Sequence, residues 1–228
     1  MKIGWLDAIE YRTEFIISYM GWIVSFVISL FIWMAVTKSG GGTVGGYDLK
    51  SIVTYFLIIQ IIRTLVFSRA GWQINSDIQT GDLSNWLLKP INYMSAQLIM
   101  EFVNNAFRAV FGLLMFGAII FFYNPELFSS FTPSRIVLSV IIVLLAHVIS
   151  FLIVSLIALS AFWVVNANRF LFIYFSILTI FSGMIIPLDL FPERIANIIF
   201  ALPLPYIFYF PTKLIQGTLP ADMYIEVF

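Results

Sequence analysis

Long uncharged hydrophobic runs alternate with short polar intervals along the whole chain. The first run, Phe15–Val36, holds 22 residues without a charge, which is about 33 Å of α-helix and enough to cross a bilayer once. The later runs are also continuous rather than alternating, which is typical of helical spans. The pattern predicts five spans: residues 15–36, 49–67, 95–122, 134–165 and 170–187.

The most polar long interval, residues 77–90, lies between the second and third predicted spans. A glycine interrupts it at Gly81, and Pro90 disfavours helical angles in the residue before it. Between them, three apolar residues recur at i, i+3 and i+4, the spacing of one helical face: Leu83, Trp86 and Leu87. We therefore predict a short amphipathic helix on a membrane surface. Its apolar side needs a partner: a soluble protein, the lipid headgroups or the rest of the chain.

The amino-terminal segment, residues 1–14, is also amphipathic at helical spacing. Its acidic residues share one face, and Trp5, Leu6 and Ile9 share the other. Such a helix lies in the membrane interface, with its tryptophan at headgroup depth. We predict an interfacial helix here, against the alternative of a frayed terminus before the first span.

The carboxy-terminal apolar segment, residues 195–212, is long enough to span but contains three prolines. Proline removes a hydrogen-bond donor and breaks a helix, and broken backbone is tolerated at membrane depth only where protein or water surrounds it. We interpret residues 189–212 as two short helices that enter the membrane and return. The alternative is a kinked sixth span.

Polar residues inside the predicted spans are few, and charges at membrane depth normally face protein or water. The third span carries a polar stripe at i, i+3, i+4 and i+7, which consists of Glu101, Asn104, Asn105 and Arg108. The fourth span carries the single histidine, His147. The stripe has two interpretations: pairing of Glu101 with Arg108 or a neighbouring helix near the surface, or the lining of a conduit. The candidate pathway residues are Glu101, Asn105, Arg108 and His147.

The composition supports a membrane protein and excludes several kinds of site. Of 228 residues, 61% are hydrophobic and 11% are charged, whereas a soluble domain carries roughly a quarter charged residues. The net charge is zero, so nothing indicates nucleic-acid binding. The chain has no cysteine and one histidine, and it lacks the short motifs of metalloproteases and serine hydrolases. We predict no catalytic and no metal site. Basic residues divide evenly between the two sets of loops, so charge does not decide orientation.

The polar interval resembles the loop after the second span in the membrane subunits of type-2 ABC exporters. That loop commonly combines a glycine, leucines and a proline, and the match here is at Gly81, Leu83, Leu87, Leu88 and Pro90. A further similarity lies near the carboxy terminus, where the sequences Ser-Gly-Met-Ile-Ile-Pro, Phe-Pro and Leu-Pro resemble the outer hairpin of the family. The resemblance covers essentially the whole chain.

The resemblance implies an all-α membrane protein: a polytopic helical bundle of five to six transmembrane helices forming one permease domain. It would carry the interfacial helix, a cytoplasmic coupling helix within residues 72–90 and a re-entrant outer hairpin at residues 189–212. The protein would lie in the plasma membrane with a cytoplasmic amino terminus. The family has a further span after the hairpin, and we expect that span to be absent or truncated here.

The resemblance also implies a partner and a site. The coupling helix would bind a cytoplasmic ABC ATPase dimer, which binds ATP and magnesium, because this chain has no phosphate-binding loop and no cofactor of its own. A second permease, identical or related, would complete the assembly, which would export a lipid, a drug or another amphipathic compound. The residues implied in docking are Asp77, Gly81, Asp82, Leu83, Trp86, Leu87, Leu88, Lys89 and Pro90.

Two other functions remain open from the sequence. A secondary transporter or channel would use Glu101, Arg108 and His147 in its pathway. A membrane-embedded enzyme would need a catalytic group, and the isolated histidine offers no obvious triad.

Overall fold

The computed structural model describes residues 12–164 and 166–219. Residues 1–11 of the predicted interfacial helix lie outside the described residues. The chain divides into two compact units, Met1–Phe56 and Leu57–Phe228. The division falls inside one helix, Leu49–Val66. Each unit is described by itself.

The first unit contains α1 (Arg12–Ser39), which is followed by a small hairpin of β1 (Thr43–Val44) and β2 (Tyr47–Asp48). The two residues of its turn, Gly45 and Gly46, have φ angles of 55° and 84°. Residues other than glycine rarely adopt two such backbone angles in succession. The conformation of the turn therefore explains why both of its residues are glycines. The predicted first span, residues 15–36, lies within α1.

Asp48 begins the next helix, α2 (Leu49–Val66), by accepting hydrogen bonds at its carboxylate. The Ser51 hydroxyl donates to it, as does the Ser51 N–H at 2.9 Å. These bonds lower the pKa of the Asp48 carboxyl. An ionised side chain at this position also interacts favourably with the helix dipole.

The second unit contains the rest of α2 and the helices that follow it. The α-helices are α3 (Ala70–Thr80), α4 (Asp82–Leu87), α5 (Tyr93–Tyr123), α6 (Glu126–Ser129), α7 (Pro133–Leu159), α8 (Asn168–Phe181), α9 (Glu193–Phe200) and α10 (Tyr209–Gln216). Short 3-10 helices occur at Ser160–Phe162 and Leu188–Leu190.

The long helices begin where local sequence signals place them. Asn92 caps α5 by accepting a hydrogen bond from the Ser95 N–H at 3.0 Å. Thr132 caps α7 by accepting from the Arg135 N–H at 3.3 Å, and Pro133 occupies the first helical position. Proline fits there because the N–H it lacks has no partner within the helix.

Within the described residues, three helical segments are long and apolar enough to cross a membrane: Leu49–Thr80, Tyr93–Tyr123 and Pro133–Phe162. They overlap the second, third and fourth predicted spans. Two shorter apolar helical segments, Ile23–Ser39 and Asn168–Phe181, overlap the first and fifth predicted spans in part. The protein is thus a largely helical membrane protein, as predicted. The fifth helix ends at Phe181, well before the predicted residue 187, because the chain bends from Ser182 onwards.

The segment predicted as a polar surface loop, residues 72–90, is different in the structure. Its first half belongs to α3, and one face of α3 is buried. A Cβ atom on Gly71 would lie 2.4 Å from Val154 of α7 and 2.9 Å from Leu171 of α8. The close approach of α3 to α7 and α8 therefore depends on this glycine. The hydrophobic pattern of residues 70–80 is weak because four of the five buried residues of α3 are small or polar.

The carboxy-terminal apolar segment does not form one continuous helix. Helices α9 and α10 are separated by the irregular residues 201–208. Arg135 holds the end of α10, where its side chain donates hydrogen bonds to the carbonyls of Leu214, at 3.0 Å, and Ile215. Lys213 of α10 forms a salt bridge of 2.8 Å with Asp189. Two short helices are therefore present, as the prolines indicate.

The contact at Gly71 gives a stability prediction with a matched control. We expect Gly71→Ala to destabilise the protein by about 1–3 kcal/mol, because the added methyl group overpacks the core. Gly117→Ala is the control, since Gly117 lies in α5 with no atom within 4 Å of its would-be Cβ. Alanine is the better helix former there and should cost nothing. Thermal unfolding in detergent compares the two, and equal melting temperatures would contradict the packing described here.

Candidate functional site

The predicted docking segment lies between two long helices and contains two short ones. Helix α2 ends at Val66, the chain resumes as α3 at Ala70, and α4 then leads into α5. Gly81 separates α3 from α4 with a φ of 82° and a ψ of 2°. This left-handed conformation favours glycine, so the conformation of Gly81 ends the first helix and turns the chain into the second. The sequence pattern placed this turn correctly.

The apolar residues of α4 are divided between the protein and its surface. Leu83 and Trp86 are half-buried against a hydrophobic cluster that joins α3, α5 and α7. The buried members of this cluster are Ala70, Ile74, Tyr93, Phe151 and Ala158. The side chains of Leu87 and Leu88 are 69% and 85% exposed. Leu83 and Trp86 thus pack against the chain itself, so part of the apolar face of α4 has its partner within the protein.

The polar residues of the segment are divided in the same way. Asp77 is buried, and its carboxylate accepts hydrogen bonds from the Tyr93 hydroxyl at 2.6 Å, from Gln97 at 3.3 Å and from Gln73 at 2.7 Å. Asp77 therefore joins α3 to α5 and, because it is buried, does not lie on an exposed docking surface as the resemblance implies. Asp82, Lys89 and Pro90 are exposed.

Lys89 also contacts Trp86, with its ammonium nitrogen 3.7 Å from the centre of the indole ring. A cation above an aromatic face is attracted by the ring quadrupole. The contact lies next to the two exposed leucines at the end of α4. The ring of Tyr93 lies 5.8 Å from the same indole ring, at an interplanar angle of 67°.

The break between α2 and α3 is enclosed by polar side chains from two other helices. Glu101 of α5 is buried, and its carboxylate accepts a hydrogen bond from the Ser68 hydroxyl at 2.8 Å. It also accepts from the backbone N–H groups of Arg69 and of Ala70, the latter at 3.0 Å. The first N–H groups of a helix have no partner within it. A carboxylate at this end supplies the acceptor and complements the helix dipole.

The other side of the break receives hydrogen-bond donors. The side-chain amide of Asn105 donates to the carbonyls of Leu65 and Phe67, at 3.1 Å each. His147 of α7 lies with Nδ1 3.0 Å from the carbonyl oxygen of Leu65. A carbonyl oxygen only accepts, so Nδ1 carries the proton. We call Glu101, Asn105 and His147 the helix-break cluster, because together they contact backbone groups on both sides of the break.

Three of the four candidate pathway residues thus lie in the helix-break cluster. The fourth, Arg108, lies beside it in a cleft of about 430 Å³ between α3 and α5. We call this the polar cleft, and its lining consists of Arg69, Ala70, Trp72, Gln73, Asp77, Trp86, Gln97, Met100, Glu101, Asn104, Asn105 and Arg108. The structure brings the polar stripe of α5 to face α3.

The sequence analysis missed one buried polar residue that links two helices. Asn75 is buried on α3, and its side chain donates to Asn168 at 3.1 Å and accepts from the Ala167 N–H at 3.3 Å. It links α3 to the start of α8. An asparagine within residues 70–80 carries no such signal when the interval is interpreted as a surface loop. In the part of the chain that the structure describes, no group of three potential metal ligands occurs.

The helix-break cluster predicts a loss of stability on truncation of its carboxylate. We expect Glu101→Ala to destabilise the protein by about 2–3 kcal/mol, because it leaves buried donors without an acceptor. Asn104→Ala, one position from the buried Asn105 on the exposed side of the same helix, should change the free energy of unfolding by less than about 0.5 kcal/mol. Unfolding by SDS in mixed micelles measures both. Equal stability of the two variants would show that Glu101 does not hold the break.

Comparison with known proteins places the chain in a family. A family model described as ABC-2 family transporter protein matches residues 23–227, which is most of the chain. No curated protein and no solved structure matches it significantly. The family consists of membrane components of ABC transporters, which move a substrate and are not themselves catalytic. The predicted family is confirmed, and this chain is a membrane permease that belongs to the ABC-2 transporter family.

Proposed function

We propose that this protein is the permease subunit of an ABC exporter and that α4 is the helix that docks on a separate cytoplasmic ATPase. The observation that carries the docking proposal is the exposure of two successive leucines, Leu87 and Leu88, on a short helix whose other apolar residues are anchored in the core. Exposed apolar patches on an otherwise polar surface are typical of protein interaction sites.

The chemistry of this surface suits a cleft in a protein. Ile91, 52% exposed, extends the apolar patch beyond α4. Asp82 and Lys89 supply charges beside it. A central apolar anchor with a polar rim is the usual arrangement of a specific interface. In this proposal Leu87 and Leu88 make the contact, whereas Leu83 and Trp86 set the orientation of α4.

The connection of α4 to the rest of the second unit supports a role in transmitting movement. Helix α4 follows α3 after a single residue, Gly81. Helix α3 is joined to α5 through Asp77, to α7 through the close contact at Gly71 and to α8 through Asn75. A displacement of α4 by an ATPase would therefore move α3 and the helices bound to it, rather than deform a flexible loop.

We infer the remaining parts of the assembly from the family. ATP and magnesium would bind in the ATPase dimer, and a second permease, identical or related, would form the other half of the conduit. The protein would lie in the plasma membrane, with its amino terminus and α4 on the cytoplasmic side. The substrate class we propose is a lipid, a drug or another amphipathic compound.

In the membrane we propose five to six spans and an outer re-entrant hairpin made of α9 and α10. Each of these helices has eight residues, or about 12 Å of length, which is too short to cross a bilayer. Helix α10 is almost entirely buried. Broken backbone of this kind is tolerated at membrane depth where protein surrounds it.

The alternative of a secondary transporter or channel has less support. Glu101 and His147 would have to serve as pathway groups, and both hold backbone groups of the α2–α3 break. Transport driven by an ion gradient in proteoliposomes that contain no ATPase would favour this alternative.

The docking proposal predicts the effect of charge at the exposed leucines. We expect the double variant Leu87→Asp, Leu88→Asp to lose at least about tenfold in affinity for the ATPase, because both side chains would be anchors of the interface. The measurement is the amount of ATPase that co-purifies with the permease from native membranes, and the bound ATPase is identified by its hydrolysis of ATP. Both residues are exposed, so the melting temperature of the permease should not change.

The matched control is Asn85→Asp, which adds a charge to the same helix at an exposed polar position. It should bind the ATPase within about twofold of the wild type, as surface substitutions away from hot spots generally do. Undiminished binding by the double variant would show that α4 is not the docking helix.

A further inference from the structure

Helix α9 has three different sides, and one of them is apolar but not covered by the described part of the protein. Ala196 and Ile199 form the buried side. Ile195 and Ile198, three positions apart, are 45% and 68% exposed. The third side is exposed and polar, and it consists of Glu193, Arg194 and Asn197.

The exposed apolar side lies between the other two. Residues four positions apart are neighbours on a helix surface. Ile195 therefore borders the buried Ile199, and Ile198 borders the charged Arg194. Leu202, four positions after Ile198 and 41% exposed, extends the apolar side into the turn that follows α9. The helix thus presents an apolar strip with the protein on one edge and charge on the other.

The orientation of α9 is set by its contacts with α10. The ring of Phe200, at the end of α9, lies 5.5 Å from the ring of Tyr209 and 5.9 Å from the ring of Phe210. The Tyr209 hydroxyl in turn donates a hydrogen bond to Asp189, which precedes α9. These contacts hold the buried side of α9 against the second unit, so its exposed apolar side faces away from the unit.

The two ends of α7 show where this part of the unit lies. Helix α7 has 27 residues, or about 40 Å, which exceeds the roughly 30 Å of a bilayer's hydrocarbon core. A helix of this length that crosses the membrane reaches both of its surfaces. Arg135, in the first turn, donates to the end of α10, whereas Ala158, in the last turn, belongs to the cluster beside α4. Helix α10, with α9 against it, thus lies toward the surface opposite α4.

Exposed apolar residues also precede α9 along the chain. Ile177 and Ile180 are 42% and 46% exposed on α8, and Ile185 and Ile186 are 46% and 36% exposed in the segment that follows it. In a membrane protein, such residues on an apolar helix face the hydrocarbon chains of lipids. The apolar side of α9 therefore continues, along the chain, a surface that is suited to lipid.

We propose that α9 lies along the membrane surface and binds lipid through Ile195, Ile198 and Leu202. This arrangement of apolar and polar sides is that of an interfacial helix, which buries its apolar face at the boundary of headgroups and acyl chains. A protein partner would also have to cover the charges beside the strip, whereas a membrane surface offers hydrocarbon and water side by side. Arg194, at the edge of the strip, rests its apolar stem on lipid and extends its charge to the headgroups.

The inference deepens the outer hairpin proposed above, because it assigns the lipid contact to α9. It rests on that proposal only for the side of the membrane on which α9 lies. Helix α10, by contrast, is almost entirely enclosed by protein.

The test uses the full permease in phosphatidylcholine vesicles, without an ATPase. The chain has no cysteine, so a nitroxide spin label can be attached at one introduced cysteine at a time. Molecular oxygen concentrates in hydrocarbon, whereas a charged or polar nickel chelate stays in water. The collision rates of the label with these two reagents, measured by electron paramagnetic resonance, therefore report its surroundings.

We expect a label at Ile198→Cys to collide more with oxygen than with the nickel chelate, and a label at the adjacent Asn197→Cys to show the reverse order. Ile195→Cys is the second variant on the apolar side. Leu114→Cys supplies the reference for lipid contact, since Leu114 is 67% exposed on the span Tyr93–Tyr123. All four positions are exposed, so the labelled proteins should unfold at the melting temperature of the wild type.

Three results would overturn the proposal. A preference for nickel at both Ile198 and Ile195 would show that the strip faces water. Poor access of both reagents there would show that a protein surface, such as a second copy of the permease, covers the strip. A preference for oxygen at Asn197 would place the whole helix inside the hydrocarbon. None of these results bears on whether α4 docks on an ATPase, because no ATPase is present.

Discussion

The second unit depends on how the protein satisfies the backbone groups at the break between two helices, α2 and α3. Between Val66 and Ala70 the chain leaves carbonyl groups on one side and N–H groups on the other without helical partners. Unpaired backbone groups cost several kcal/mol each in an environment without water. Glu101 accepts from the N–H side, and Asn105 and His147 contact the carbonyl of Leu65 on the other side. Both sides of the break are thereby hydrogen-bonded to other helices.

This arrangement explains why so polar a stripe is found in so hydrophobic a chain. Buried polar residues are expensive unless each has a partner. Here the partners of Glu101, Asn105 and His147 are backbone groups. A break in a helix leaves such groups without hydrogen-bond partners inside the helix. Glu101, Asn105 and His147 are candidate pathway residues from the sequence, but their contacts with the backbone give them a structural role that accounts for their presence. The polar stripe then leads outward to Arg108 and Asn104, where α5 and α3 enclose the polar cleft.

The contacts of α3 also bear on the role of α4, the short helix that follows it. A surface helix attached by loops would absorb a push from a partner. In this protein α4 is one residue away from α3, and α3 is bound to three other helices by a buried carboxylate, a buried asparagine and a glycine contact. These contacts are distributed along the length of α3, so the helix and its neighbours have few ways to move independently.

The sequence alone determined the class of protein, the positions of its long helices and the turn at Gly81. These features follow from uninterrupted hydrophobic runs and from local signals such as a cap or a glycine, which act within a few residues. It also indicated that the carboxy-terminal prolines divide the last apolar segment. It could not show that Asp77 is buried or that residues 70–80 form a core helix, because four of the five buried residues of that helix are small or polar.

Only the tertiary structure decided what the polar residues do. Glu101 meets groups 31 to 33 positions away in the sequence, and His147 meets a carbonyl 82 positions away. Periodicity shows which residues share a face of a helix but not which helix lies opposite that face. The division of α4 into anchored and exposed residues has the same origin. The i, i+3, i+4 spacing defines one apolar stripe, and the packing of α3, α5 and α7 buries Leu83 and Trp86 while Leu87 remains at the surface.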